Sequence, residues 1–161
     1  MRETSISNGT DRPNRIPWPP ILDAFTLIGA VVLQRLWPMP PLFAPGPARW
    51  FGWVVCGAGL AIAAAGVLHF RQIRTPIDPT ARATTIATGG IYAWTRNPMY
   101  LGTLLALFGL GLAWPLTWLV LLVPLLAFGL YKLAISREEA YLQRRFGDAY
   151  RSYVARVRRW I

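Results

Sequence analysis

The sequence predicts an all-α polytopic membrane protein with four transmembrane helices and a cytoplasmic C-terminal amphipathic helix. Three observations carry this expectation. Of the 161 residues 54% are hydrophobic and only 15% charged, and the mean hydropathy is +0.35, well away from an average soluble domain. The apolar residues are gathered into runs that approach the length of about 20 residues a spanning helix needs. The charges are gathered between and beyond those runs.

Taken in order, the tail MRETSISNGTDRPNRIPWPP (1–20) is polar, with neither an apolar h-region nor a small-residue cleavage site. The first apolar run is therefore expected to stay in the protein. Spans are expected at 21–37, 50–70, 99–114 and 115–135; the third is short but uncharged. Only Ala113, Trp114 and Pro115 remain to turn the chain between the last two, which predicts a tight antiparallel hairpin. Pro124 is expected to kink the fourth span. Gly57, Gly59, Ala63 and Gly66 in WVVCGAGLAIAAAGVLHF predict close helix packing. Gly57-x-Gly59 follows no strand and has no third glycine in register, which excludes a dinucleotide fingerprint.

Past the fourth span, ISREEAYLQRRFG is expected to continue as helix to Gly147 at the C′ position, with Asp148 as N-cap of a last helix. There Tyr150, Tyr153, Val154, Val157 and Ile161 recur at helical spacing among Arg151, Arg156, Arg158 and Arg159. That is the pattern of a helix lying in the membrane interface. The whole chain, 1–161, reads as one integral membrane domain: the tail, two spans over 21–70, and a loop, hairpin and C-terminal helices over 71–161.

Seventeen basic residues face seven acidic ones, a net charge of +10, and sixteen of the basic residues are arginine. Beside such apolar runs this charge favours anionic lipid headgroups as partner over nucleic acid. The arginine bias points to a GC-rich bacterial genome, and so to a bacterial inner membrane. Arg2, Arg12 and Arg15, the loop arginines Arg71, Arg74, Arg82 and Arg96, and the C-terminal basic cluster outnumber Arg35 and Arg49 on the other side. The positive-inside rule then places both termini in the cytoplasm. Cys56 is the sole cysteine and reads as a packing residue. With His69 the sole histidine, no metal site is expected.

Two polar features ask for more than anchorage. Glu138 and Glu139 have no lysine or arginine three or four places away on their helix, so their partner must come from elsewhere, either a loop arginine or a bound cation. The stretch GGIYAWTRNPMYLG (89–102) precedes the third span. Gly89 and Gly90 allow a tight turn or close approach. Pro98 suits a helix start whose free N–H groups attract anions. Arg96 adds a planar cation, and Tyr92, Trp94 and Tyr100 add aromatic faces. Set opposite the glutamates, these residues make a pocket with an anion end, a cation end and stacking surfaces. S-adenosylmethionine, with its carboxylate, ammonium, sulfonium and adenine, has the matching groups. Asp23, a turn inside the first span, is read as structural, held by the helix dipole and headgroup water.

Gly90-x-Tyr92-x-x-x-Arg96-Asn97-Pro98-x-Tyr100-x-Gly102, a hydrophobic hairpin, Glu138-Glu139, then Phe146-Gly147-x-x-Tyr150-x-x-Tyr153 resembles the membrane methyltransferases that include isoprenylcysteine carboxyl methyltransferase and phosphatidylethanolamine N-methyltransferases. The resemblance runs over residues 68–161. It implies an S-adenosylmethionine pocket formed by Gly90, Tyr92, Arg96, Asn97, Pro98, Tyr100, Gly102, Glu138 and Glu139, with Arg96 and Glu139 the best catalytic candidates. Many family members have histidine where this chain has Asn97, which cannot carry charge. The expected activity is S-adenosylmethionine-dependent methyl transfer to a lipophilic acceptor arriving from the bilayer, of the isoprenylcysteine carboxyl methyltransferase kind. Two other readings stay open: a small four-helix transporter coupled through Asp23, and a non-catalytic membrane scaffold.

Overall fold

The structure, a computed structural model, describes residues 16–43, 45–78 and 80–161. Arg2, Arg12 and Arg15, and most of the 1–20 tail, lie outside the described residues. Among those described, the regular structure is entirely helical. Helix α1 (Trp18–Leu36) starts on prolines in its first turn, where their missing N–H groups cost nothing. Helix α2 (Pro45–Gln72) follows. A 3₁₀ turn (Gly90–Ala93) leads into α3 (Pro98–Ala113), with Pro98 in its first turn as its residue type suits. Helix α4 (Thr117–Leu130) passes through a π turn (Tyr131–Ile135) into α5 (Ser136–Phe146), and α6 (Asp148–Arg156) closes the order.

Three stretches are long and apolar enough to cross a membrane: Trp18–Leu36, Gly46–Gln72 and Thr117–Phe146; Pro98–Ala113 is apolar but has 16 residues. The helices pack in the order α1, α4, α3, α2. Large side chains such as Phe25, Trp50, Val54 and Leu125 stand on the outer faces, as expected where the solvent is lipid and not water. Leu104, Leu126, Leu130 and Ile135 form the core between α3 and α4, with Leu22 of α1 and Trp160 against it.

The contact between α2 and α3 is a seam of glycines. Gly52 and Gly59 on α2 meet Gly109 and Gly102 on α3, and Gly66 meets Met99. A Cβ added to Gly59 would lie 2.5 Å from the Ala106 nitrogen and 2.6 Å from the Gly102 oxygen. Gly57, expected in this seam, is not part of it: nothing lies within 4 Å of the space its Cβ would take. The seam repeats every seven residues, and a position two residues from Gly59 is turned about 200° around the helix. Cys56 is buried against Gly109, as a packing residue.

Helix α4 carries Pro124 internally without ending, and the break in regular hydrogen bonding comes further on, at the π turn. There the Ser136 hydroxyl donates to the Tyr131 carbonyl (2.8 Å) and lies 3.2 Å from that of Lys132, serving acceptors that the wider turn leaves over. Helix α5 stops at Gly147, whose φ of +51° suits glycine. Asp148 does not cap α6. It is the first helical residue and pairs with the exposed Arg151 instead. The chain itself covers part of the apolar face expected at an interface, while Val154 and Ile161 are exposed. Tyr150, Tyr153 and Val157 are buried against Ile86, Leu142 and Phe146 of the same chain, and the helix ends at Arg156, so that residues 157–161 run on as irregular, bent chain.

Candidate functional site

The ends of α1 and α2, the 75–87 loop, the 92–103 segment and helices α5 and α6 enclose a cavity of about 670 Å³, in the size range of small-molecule pockets. Its loop wall is pinned at several points. The Thr75 and Thr84 hydroxyls are 2.9 Å apart. The Ala83 N–H donates to the Tyr141 hydroxyl, and Arg145 Nε donates to the Ala83 carbonyl (2.7 Å). Irregular backbone beside a membrane span needs such partners, because lipid provides none.

Of the residues that the motif singled out, Tyr92, Arg96, Asn97, Tyr100, Glu138 and Glu139 line this cavity. Gly90, Pro98 and Gly102 do not. Gly90 takes φ +56°, with its open side against His69. Pro98 is buried against Gly66, and Gly102 faces Gly59 and Ala63 in the helix seam. These three shape the backbone that carries the lining side chains. His69 also packs outside the cavity, its ring 5.6 Å from that of Tyr92. Trp94, expected as a stacking face, is 80% exposed and points away.

The two glutamates have separate partners. The Tyr100 hydroxyl donates to Glu138 Oε2 at 3.0 Å. Glu139 lies between two guanidinium groups. Arg159 reaches it through Nε (2.9 Å) and a terminal nitrogen (2.7 Å), and Arg96 through one nitrogen at 3.3 Å. With Arg96 only 11% exposed and Glu139 18%, the group is a largely desolvated charge cluster in which a forked, charge-assisted contact is strong.

Arg159 was not singled out by the sequence. Its backbone carbonyl also accepts from the Thr95 hydroxyl (3.1 Å) and the Asn97 side-chain amide (3.3 Å), while the Arg158 carbonyl accepts from Arg96 N–H (3.1 Å). The motif loop is thus stitched to the end of the chain, and Asn97 serves this seam as a donor. Its inability to carry charge is no handicap in that role.

Three tyrosines of the cavity, Tyr92, Tyr150 and Tyr153, stay neutral. Burial pushes the Tyr150 phenol up to about 12, with the Glu139 carboxylate adding to the rise and Arg96 opposing it. Burial likewise raises Tyr92 and Tyr153. They present O–H groups and aromatic faces, not phenolate bases. The Tyr153 hydroxyl is spent on the Tyr92 carbonyl (2.7 Å), and the Tyr92 ring stacks on Phe70. Three polar atoms of cavity residues are buried without any hydrogen-bond partner: the Tyr92 hydroxyl, Arg96 Nε and Asp23 Oδ1. Asp23, read from sequence as a structural residue, is therefore part of the cavity wall.

The pattern of the phospholipid methyltransferase family matches residues 47–149, from the start of α2 to the start of α6. An uncharacterized protein of Haemophilus influenzae is 43% identical over 65 residues, which are 39% of this chain and the whole of that relative. No solved structure matches. Matched over well more than half its length, and carrying helices apolar enough to cross a bilayer, the chain is an integral membrane protein that belongs to the phospholipid methyltransferase family.

Proposed function

We propose that the protein transfers the methyl group of S-adenosylmethionine to a lipophilic acceptor that enters the cavity from the bilayer. One observation carries the reading. Arg96, Tyr100, Glu138 and Glu139, drawn from two segments far apart in sequence, line one cavity of small-molecule size. The donor set fits the cofactor. The Glu138 carboxylate suits an ammonium or sulfonium, the unpartnered N–H of Arg96 and hydroxyl of Tyr92 suit a carboxylate or ribose, and the tyrosine faces suit adenine. When bound, the cofactor supplies a methyl carbon made electrophilic by its sulfonium. The chain's own work is to bind, align and keep water out. Tyr100 orients Glu138, and the arginines fix Glu139.

In the same reading α3 is a fourth span. Its 16 residues make a rod of about 24 Å, shorter than the hydrocarbon core, so that the motif at its start is drawn down to the membrane surface. The termini and the 71–98 loop lie on the cytoplasmic side of a bacterial inner membrane, where the cofactor would be met. The acid that a transporter would need, Asp23, opens on the same cavity, so one site accounts for it and for the motif.

Calorimetry of the purified protein with S-adenosylmethionine tests the reading. The wild type is expected to bind, with a stabilisation of about 2.7 kcal/mol when the ligand is present at about 100 times its Kd. Glu138→Gln is expected to bind at least about ten times more weakly, since a charged hydrogen bond is worth about 1.5–3 kcal/mol. Absence of binding by the wild type, or equal affinity in both proteins, refutes it.

A further inference from the structure

Asp23 lies on α1, outside the 47–149 segment that the family pattern matches and outside the motif. Its Oδ1 is buried and has no hydrogen-bond partner. The Thr103 side chain is the one hydrogen-bonding neighbour of the carboxylate, and it leaves Oδ1 unserved. A desolvated carboxylate oxygen without a donor is costly in the free protein and correspondingly favourable once a cation or an N–H reaches it. The rest of the cavity lining has the same sign of need. It holds four acids, Asp23, Asp78, Glu138 and Glu139, against one base, Arg96. Arg96 and Glu139 are paired, and Asp78 is engaged by Thr80. At the α1 end the neighbouring lining residues are Pro17, Pro19 and Pro20, apolar groups at the start of a helix whose outer face carries the exposed Phe25. An amphiphile with an apolar body and a cationic head fits that end; a carboxylate acceptor would meet like charge there.

Resting on the methyltransferase reading above, we propose that Asp23 forms the acceptor subsite, where it binds the protonated amine of the acceptor and takes its proton. The balance is simple. An ammonium gives one proton to the Asp23 carboxylate, leaving a neutral amine and a neutral carboxyl group on α1; the amine lone pair would then form the new nitrogen–methyl bond as the methyl–sulfur bond breaks, its electron pair staying on sulfur, so that a neutral thioether leaves and the positive charge passes to the methylated nitrogen. An ammonium has no free lone pair, so an amine acceptor needs such a base.

The test uses the full-length protein in vesicles that contain an ethanolamine-headed phospholipid, with soluble phosphoethanolamine and a fatty carboxylate as parallel acceptors. Asp23→Asn keeps the shape of the side chain and removes the base. It is expected to bind S-adenosylmethionine within about threefold of wild type, to retain less of the amine lipid in native mass spectrometry without cofactor, and to lose about 100-fold in transfer to amines, the lower range for a general base. Asp23→Glu, which restores a carboxylate, is expected to recover part of that loss. Transfer to the lipid or to the soluble amine supports the subsite and identifies the source of the amine. Undiminished amine transfer by Asp23→Asn, preferred methylation of the fatty carboxylate by the wild type, or weakened cofactor binding with intact lipid retention each overturn it. A wild type that binds no S-adenosylmethionine removes the methyltransferase reading itself, a result distinct from these three.

Discussion

Glu139 is held by two arginines in different ways, and the difference decides what each can tolerate. Arg159 grips both carboxylate oxygens, whereas Arg96 offers one nitrogen at 3.3 Å and keeps its Nε–H without a partner. Lysine is a point charge and cannot reproduce a fork. Arg159→Lys is therefore expected to lower stability by about 1 kcal/mol, discounted because Arg159 is 33% exposed. Arg96→Lys keeps a cation beside Glu139 but loses the free N–H, so it is expected to melt near wild type while its affinity for S-adenosylmethionine falls at least about tenfold. Melting curves and calorimetry on both, with the exposed Arg74→Lys as control, check the contrast; identical behaviour of the two variants contradicts it. The need of the glutamates for distant partners was legible, because no base stands three or four places from either of them on the helix. Arg159 was not, since its approach depends on the reversal at Gly147, and no sequence spacing records that angle.

Between elements, the tightest contact is the glycine seam of α2 and α3. Lipid offers no hydrophobic drive to press helices together, so close backbone approach and the dispersion it allows must do so. Any side chain at Gly59 would strike the backbone of α3, which cannot swing aside. Gly59→Leu is expected to cost more than the usual 1–3 kcal/mol of overpacking, while Gly57→Leu, facing open space, should be near neutral. Fluorescence-detected size exclusion and melting of both variants in detergent read this out, and a well-folded Gly59→Leu contradicts the seam. The wealth of small residues was plain in the sequence, but its phase was not, because the run WVVCGAGLAIAAAGVLHF has small residues on every face. The helical spacing of Tyr150, Tyr153 and Val157 was equally plain. What covers that face was not, since a lipid surface and the chain's own 75–87 loop satisfy the same periodicity. The π turn at Tyr131–Ile135 has no compositional signal at all.

At the scale of the whole molecule, the chain closes on itself. Its last residues return from α6 to the loop that opens α3, the Arg158 and Arg159 carbonyls accept from Arg96, Thr95 and Asn97, Arg159 grips Glu139, and Trp160 packs on the core between α3 and α4. Three parts of the chain remote in sequence (the 94–97 loop with α3, α5, and the terminal stretch) are joined by this one connection. The glycine seam stands apart from it, and of the apolar core between α3 and α4 only the contact with Trp160 belongs to it. Deleting residues 158–161 should therefore separate the two levels of structure. The helices are expected to stay assembled, because α1 to α4 keep their packing, while Glu139 loses its fork, the Arg96 loop loses its carbonyl partners, and buried N–H groups are left unpaired at about 1–3 kcal/mol each. The expected result is a protein that elutes as wild type in detergent but has lost S-adenosylmethionine binding by well over about tenfold. Arg159→Ala, which removes the fork and spares the backbone bonds, should fall between the two. A truncated protein that binds the cofactor as tightly as the full chain would show that the return of the terminus holds no part of the site.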